Sequence, residues 1–321
     1  MKVLLTGATG FVGRYLYPAL VAAGHEVVCA SRDPEAARAR FPDRPWVALD
    51  VEDRASIEAA LAGCQGAYYL VHGMAGGAGY PEREAQSARN FADAAAARGL
   101  ERVVYLGGVL PAGHRPSRHL SSRQRTGEIL RAGAVSTIEL RAAMIVGAGS
   151  TSWTMVEDLA ARLPAMILPR WLRNHSHPIA IDDVVRALLL ALELERDGSA
   201  ILELPGPERM PHRDLLRRVA RLLGHHRPML NVPVLSPRLS SYWIALVTRV
   251  DLHLARELVE GLRYDLDPVG ESIWAHTDHR PMRIEDAATL ALNDESSPDS
   301  PPMAATRRTA NIGAQLRVGA T

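Results

Sequence analysis

The stretch that decides the fold is Val3-Leu4-Leu5-Thr6-Gly7-Ala8-Thr9-Gly10-Phe11-Val12-Gly13, near the start of the chain. Apolar residues lead into three glycines spaced three apart, and an amphipathic helical pattern follows them. In this strand–turn–helix context Gly7 permits the tight turn, Gly10 lets the backbone approach a pyrophosphate, and Gly13 lets the helix pack close to the sheet. The helix N-terminus directs free N–H groups at phosphate. The turn therefore predicts a dinucleotide-binding site.

Strand and helix patterns alternate through the first half of the chain. Helical patterns lie between six short apolar strands, which are predicted at 3–5, 26–30, 47–49, 67–71, 102–106 and 137–140. This alternation predicts an α/β fold, a Rossmann-type doubly wound parallel sheet with helices on both faces. Ligands of such sheets bind at the carboxyl ends of the strands.

The second half is less regular and predicts a small, partly interleaved substrate subdomain. We expect a nucleotide-binding core over 1–150 and the subdomain over 151–292, with 178–204 returning to the core. Within that return, Pro178–Asp183 is predicted to be an extended segment that N-caps the next helix. Residues 293–321 are rich in Pro, Ser and small residues, and they predict a disordered tail.

The bulk properties exclude several classes of function. The 321 residues carry a net charge of +1 with both signs interspersed, which gives no electrostatic basis for binding nucleic acid. The first strand begins at residue 2 and no apolar run reaches the length of a membrane span, so we expect neither a signal peptide nor an integral membrane segment. Two cysteines without disulfide or metal spacing fit a reducing, cytoplasmic setting. The His175/His177 and His276/His279 pairs lack a third ligand at a recognised spacing, so no metal site is expected.

The residues after the second strand, Ser31 and Arg32, bear on cofactor choice. An acidic residue there would bind the ribose 2′-hydroxyl of NAD, whereas an arginine accommodates the 2′-phosphate of NADP. A guanidinium forms charge-assisted, often bidentate bonds to phosphate. The sequence therefore predicts NADP(H) in preference to NAD(H). The alternative is that Arg32 is a solvated loop charge and that either cofactor binds.

Several further segments, together with the opening turn, resemble the extended, atypical short-chain dehydrogenases/reductases. The similarity is greatest to the NmrA-like and complex-I-39-kDa-subunit-like branch, and it covers about residues 1–265. The segments that carry it are Tyr69–His72, Tyr105–Gly108, Leu140–Ala142, Pro178–Asp183, Gly206–Glu208 and Val232–Val234.

This resemblance implies a set of cofactor-binding residues. They are Gly7, Thr9, Gly10, Phe11, Val12, Gly13, Arg14, Ser31, Arg32, Asp50, Val51, Val71, His72, Gly73, Arg123 and Ala143. Arg14 lies where similar proteins reach the 2′-phosphate, and Asp50 where they contact adenine. The alternative for Asp50 is a helix-capping aspartate. His72 is expected to line the ribose through backbone contacts and could also touch the substrate; the alternative is a histidine held by packing and one hydrogen bond.

The resemblance also implies a Tyr-x-x-x-Lys catalytic pair, which this chain replaces with His119 and Arg123. Lys2 is the only lysine, and Gly107 and Gly108 stand where the usual serine would be. Arg123 could hold the ribose and supply positive charge, but it cannot shuttle protons. His119 could act as an acid near neutral pH. Its alternative is a loop residue without a catalytic role.

These observations predict a reductase acting on a small apolar, easily reduced substrate: quinone-like, flavin-like, or an activated carbonyl or alkene. The alternative is a non-catalytic NADPH-binding regulator or scaffold, and a homodimer is compatible with either. Met74–Tyr80 is interpreted as a glycine-rich lid over the nicotinamide. The apolar residues of the second half predict a substrate cleft, with helical core as the alternative: Trp153, Met155, Met166 and Trp171.

Overall fold

A doubly wound parallel sheet forms the centre of the molecule. The computed structural model describes residues 1–72, 79–163, 166–226, 228–232, 242, 244–294 and 303–319. Within these residues, seven strands pair in parallel in the order β11-β6-β5-β4-β1-β2-β3. They are β1 (Lys2–Leu5), β2 (Glu26–Ser31), β3 (Trp46–Ala48), β4 (Gly66–Tyr69), β5 (Arg102–Gly108), β6 (Ser136–Ala142) and β11 (Ala200–Leu204). The order reverses between β1 and β4, where such sheets bind their ligands, and the predicted fold class is confirmed.

Short strands outside this sheet pair in twos. They are β7 (Ile145–Val146), β8 (Met166–Pro169), β9 (His175–Ser176), β10 (Ile179–Ala180), β12 (Met210–Pro211) and β13 (Met229–Val232). The pairs are β7 with β10, β8 with β13, and β9 with β12. Because β7 follows β6 directly and β10 precedes a helix on the sheet, the first pair joins the subdomain to the core.

The helices lie on both faces of the large sheet and in the subdomain, and each has one apolar face to bury. They are α1 (Phe11–Ala22), α2 (Pro34–Arg40), α3 (Arg54–Ala60), α4 (Tyr80–Ala97), α5 (Arg118–Ala132), α6 (Thr151–Arg162), α7 (Ile181–Glu193), α8 (His212–Leu222), α9 (Leu252–Gly261), α10 (Ile284–Asn293) and α11 (Met303–Gly319). Helices α1, α7 and α11 pack on one face, and α3, α4 and α5 on the other. No helix among the described residues is long and apolar enough to cross a membrane.

A second hydrophobic core lies between α6, α8, α9 and α10. Trp153 and Trp171 are buried in it, at 1% and 7% exposure, rather than in the cleft. The core alternative therefore holds for these two residues, because Trp153 lies on the buried face of α6 and Trp171, in the 3-10 turn Arg170–Arg173, packs into the same core. Met155 both joins this core and lines the cleft. The side chain of Met166 lies outside the described part of the structure.

The predicted capping role of the segment Pro178–Asp183 is wrong. Helix α7 already begins at Ile181, and its N-cap residue, Ala180, makes no side-chain cap. The Asp183 carboxylate instead accepts hydrogen bonds from the backbone N–H of Met282 at 2.9 Å and pairs with His279 Nε2 at 2.7 Å. The Asp183 carboxylate, in the first turn of α7, thus binds the loop that contains His279 and Met282 and does not cap the helix.

The prediction of disorder after residue 293 is also wrong for the part of the tail that the structure describes. Helix α11 packs along α1, where Gly313 meets the backbone of Ala19. Arg308 Nε donates to Asp182 at 2.9 Å, and Arg308 Nη2 to Asp294 at 2.8 Å. Both carboxylates are buried, so the helix neutralises charges that would otherwise be costly to bury.

Candidate cofactor and active site

The glycine turn after β1 has the geometry that the sequence predicts. Gly7 has φ +65°, and a Cβ on it would lie 2.6 Å from the Leu70 carbonyl oxygen. A Cβ on Gly13 would overlap the Gly7 carbonyl oxygen. Both positions therefore need glycine, the first for its conformation and the second for close packing. Thr6 Oγ1 donates to the Tyr68 carbonyl at 2.8 Å, which fixes the turn against β4.

The N-terminus of α1 is open toward the cleft. Its N-cap residue, Gly10, offers no side chain to the first-turn N–H groups, and that turn contains no acidic residue. These donors and the helix dipole favour an anion. The turn thus leaves space for a pyrophosphate, which a side chain at Gly10 would occupy. The residues present therefore fit a dinucleotide.

One cleft of about 1050 Å³ runs along the carboxyl ends of the strands, past this turn. That volume is at the upper end of small-molecule sites and suits an extended ligand. Ser31, Arg32 and Asp50 line one end, where an adenosine belongs in this fold. The other end is lined by residues from the segment after β4, from α5, from the segment after β6, and from α9 and its C-cap: His72, His119, Arg123, Ala143, Met144, Glu257 and Leu262.

Two carboxylates at the adenosine end, those of Asp33 and Asp50, are engaged in local structure. Asp33 Oδ1 accepts from the Ala36 N–H at 2.9 Å and caps α2. Asp50 Oδ1 accepts from the Glu52 N–H at 3.0 Å. Helix α3 is capped by Asp53, so the helix-cap alternative for Asp50 is wrong. Arg32 is exposed at the rim and lines the cleft.

Arg14 lies apart from Arg32. Its side chain is buried, with 6% exposure, and its guanidinium lies beside Gly149 in the segment after β7. It does not line the described cleft. The prediction of a 2′-phosphate contact therefore depends on Arg32. Val12, Val71 and the remaining described members of the predicted set line the cleft, whereas Gly73 and the lid segment 74–78 lie outside the described residues.

At the opposite end, Glu84, His72 and His119 form a chain of hydrogen bonds. His72 Nδ1 lies 2.8 Å from Glu84 Oε1, and His72 Nε2 lies 3.1 Å from His119 Nδ1. The Ser122 hydroxyl donates to the other oxygen of Glu84. Helix α5 begins at Arg118, so His119 is a first-turn helix residue and the loop alternative is wrong. His72 makes two side-chain hydrogen bonds, whereas the packing alternative predicted one.

Burial lowers the pKa of both histidines in this chain, and the neighbouring guanidinium of Arg123 lowers both further. Glu84 raises the pKa of each histidine and so opposes these two effects. Both rings are therefore neutral at physiological pH. A neutral His119 cannot donate a proton as an imidazolium, which is the role that its ordinary pKa would suggest. Which of its ring nitrogens can donate depends on its tautomer.

Arg123 is anchored at the cleft wall. One of its Nη atoms donates to the Leu106 carbonyl, and its own backbone carbonyl accepts from Tyr105 Oη at 3.0 Å. Its Nε and other Nη atom bond to no residue that the structure describes. They remain available as donors in the cleft that Arg123 lines.

The two glycines at the end of β5 are explained by packing. A Cβ on Gly107 would lie 2.9 Å from Glu139 Oε1, and one on Gly108 would lie 2.9 Å from a methyl of Leu120. Glu139 is 1% exposed and is held by Arg131 at 2.8 Å and Arg141 at 2.9 Å. A buried ion triad therefore occupies the space that a serine side chain at Gly107 would need.

Two buried polar groups near the cleft were not predicted as site residues. Tyr80 Oη and Glu257 Oε2 have no hydrogen-bond partner among the described residues, and both residues line the cleft. Burial raises the pKa of Tyr80 to about 12 and raises that of Glu257. The Glu257 carboxylate also accepts from the backbone N–H of His119, which ties α9 to the start of α5.

Comparison with known proteins agrees with this geometry. Residues 7–159 match the model of an NAD(P)H-binding family. The chain is 28% identical over 239 residues to an uncharacterized protein of Mycobacterium tuberculosis, covering 74% of this chain but 24% of that one. The chain thus spans about a quarter of the length of that relative.

Two other similar proteins are reductases by name. The chain is 28% identical over 281 residues to a 3-diazoavenalumate denitrifying reductase of Streptomyces sp., covering 76% of this chain and 88% of that one. Among solved structures, an NADPH-dependent quinone oxidoreductase of Escherichia coli, complexed with NADPH, superposes with a TM-score of 0.71 at 18% identity. That match covers 91% of this chain and 100% of the other, and it shows a shared fold.

Proposed function

We propose that this chain, an NAD(P)H-binding Rossmann protein of the atypical short-chain dehydrogenase/reductase type, is an NADP(H)-dependent reductase of small, easily reduced substrates. The observation that carries the proposal is a continuous cleft that has Arg32 at one end and His119 and Arg123 at the other. Lys2 lies at the start of β1, away from the carboxyl ends of the strands, and pairs with Glu26 at 3.4 Å. The reaction proposed here therefore uses no tyrosine–lysine pair.

The preference for NADP(H) is supported by charge at the adenosine end. Arg32 is exposed beside Ser31, and the carboxylate of the next residue, Asp33, is engaged in capping α2. A 2′-phosphate would gain a charge-assisted bond there.

The substrate class is supported by the far end of the cleft. Met144, Met155, Leu258 and Leu262 give that end apolar walls, which suit an apolar ring. A bound reduced nicotinamide supplies a hydride, and Arg123 offers positive charge where negative charge develops. Quinones, flavins, and activated carbonyls or alkenes stabilise that charge within their own structure, so they need less acid catalysis.

A turnover panel tests the proposal. NADPH oxidation should require both the protein and an acceptor when 1,4-naphthoquinone, a free flavin and 4-nitrobenzaldehyde are offered in turn. Activity with at least one acceptor is expected. Tight NADPH binding without oxidation by any of them would contradict the proposal and favour a regulator or scaffold.

Arg123→Ala should weaken NADPH binding, because it removes charged donors from the wall of the cleft. Charged hydrogen bonds contribute about 1.5–3 kcal/mol, so the dissociation constant should rise roughly 10- to 150-fold in isothermal titration. Arg125→Ala is the matched control, because Arg125 is exposed on the same helix and does not line the cleft. Equal affinities for the two variants would show that Arg123 does not hold the cofactor.

A further inference from the structure

We propose that Glu84, His72 and His119 form a proton relay that delivers one proton to the substrate at His119 Nε2. The inference rests on the proposed reductase function and adds a substrate class to it: a carbonyl-like acceptor that must gain a proton as well as a hydride. The three groups come from α4, the segment that follows β4, and the first turn of α5. They are joined by contacts of 2.8 Å and 3.1 Å.

The tautomers follow from the partners. An ionised Glu84 only accepts hydrogen bonds, so a neutral His72 carries its proton on Nδ1 and presents a lone pair at Nε2. That lone pair accepts Nδ1–H of His119, which leaves the Nε2 of His119 without a proton. This Nε2 has no partner among the described residues, and His119 lines the cleft.

One added proton reverses every bond in the chain. Glu84 becomes a carboxylic acid that donates to His72 Nδ1, His72 donates from Nε2 to His119 Nδ1, and His119 presents Nε2–H to the cleft. Both imidazoles are neutral in both states. This suits their surroundings, because burial and Arg123 oppose an imidazolium at either ring.

Delivery of the proton balances the reduction. When the substrate has gained a hydride, the Nε2–H bond of His119 breaks and the proton joins the oxygen that has become negative. The His72 proton moves to His119 Nδ1 and the Glu84 proton to His72 Nδ1. The substrate has then gained one hydride and one proton, the reduced nicotinamide has been oxidised, and Glu84 regains its proton from water.

Ser122 and Glu257 position the relay. The Ser122 hydroxyl donates to the second oxygen of Glu84, which orients the carboxylate toward His72. Glu257 accepts from the backbone N–H of His119. These contacts hold both ends of the chain in the geometry that general acid catalysis requires.

Glu84→Gln tests the relay because glutamine keeps the size and an acceptor oxygen but cannot store and release a proton. Turnover of 4-nitrobenzaldehyde should fall about a hundredfold or more, as expected for loss of general acid catalysis. Turnover of 1,4-naphthoquinone, whose reduced form takes its proton from water, should stay within a few-fold, and NADPH affinity should not change. His119→Phe should give the same pattern. Glu82→Gln, an identical change at an exposed position of α4, should match the parent.

The proton inventory of aldehyde turnover in mixtures of H₂O and D₂O should curve for the parent, because several protons move together, and lose its curvature in Glu84→Gln. Equal losses with both acceptors, unchanged aldehyde turnover in Glu84→Gln, or a parent that reduces the quinone or the flavin but never the aldehyde would overturn the relay alone. A parent that oxidises NADPH with none of the quinone, the flavin and the aldehyde would overturn the proposed function and the relay with it.

Discussion

Arg32→Asp is expected to lose NADPH affinity by roughly 10- to 150-fold while NADH affinity stays the same or improves. The substitution removes a charged bond to the 2′-phosphate, worth about 1.5–3 kcal/mol, and places a carboxylate where it repels phosphate and accepts from a ribose 2′-hydroxyl. Isothermal titration with both cofactors measures the change in their affinity ratio.

The matched control is Arg38→Asp, which makes the same charge change at an exposed position of α2 outside the cleft. It should leave the NADPH/NADH ratio unchanged. If Arg32→Asp also leaves that ratio unchanged, Arg32 is a solvated loop charge and the assignment of NADP(H) fails.

Gly313→Leu is expected to lower the free energy of unfolding by roughly 3 kcal/mol, the upper end of typical overpacking costs. A Cβ at this position would overlap the Ala19 carbonyl oxygen where α11 crosses α1. Because neither backbone can yield cheaply, α11 must shift and strain the ion pairs of Arg308 with Asp182 and Asp294.

Thermal unfolding measures this effect. With an entropy of unfolding of about 2.1 cal/mol/K per residue, the 321 residues give about 1.5 °C per kcal/mol, so the melting temperature should fall by roughly 4–5 °C. Ala314→Leu adds the same side chain one residue later, at an exposed position of α11, and should leave the melting temperature unchanged. A similar melting temperature for both variants would mean that α11 does not pack on α1 in solution.

The central sheet was predictable because its signals are local. Each strand is a short apolar run bounded by polar residues or glycine, and the predicted strand 102–106 lies within the observed Arg102–Gly108. Helix α11 was not predictable in the same way. Its contact with α1 depends on small residues such as Gly313 fitting against a backbone, and small residues look alike in a packed helix and in a disordered tail.

The candidate site was likewise predictable only where its residues are adjacent in the sequence. The glycine turn could be identified because all its residues are adjacent in sequence and each has a distinct steric role. Glu84 and Ser122 were missed because the bonds from His72 to Glu84 and His119 arise only where the end of β4 meets α4 and α5. Eleven residues lie between His72 and Glu84 along the chain, and no spacing rule links a histidine to a carboxylate across a loop.

Reductase activity is tested most directly by the rate of NADPH oxidation with an acceptor. The rate is measured with ordinary NADPH and with NADPH that carries deuterium at the transferred position. A reductase should oxidise NADPH only when an acceptor such as 1,4-naphthoquinone is present, and more slowly with the deuterated cofactor wherever hydride transfer limits kcat/KM. Saturable NADPH binding without oxidation by the quinone, the flavin or the aldehyde would contradict the proposed reductase activity.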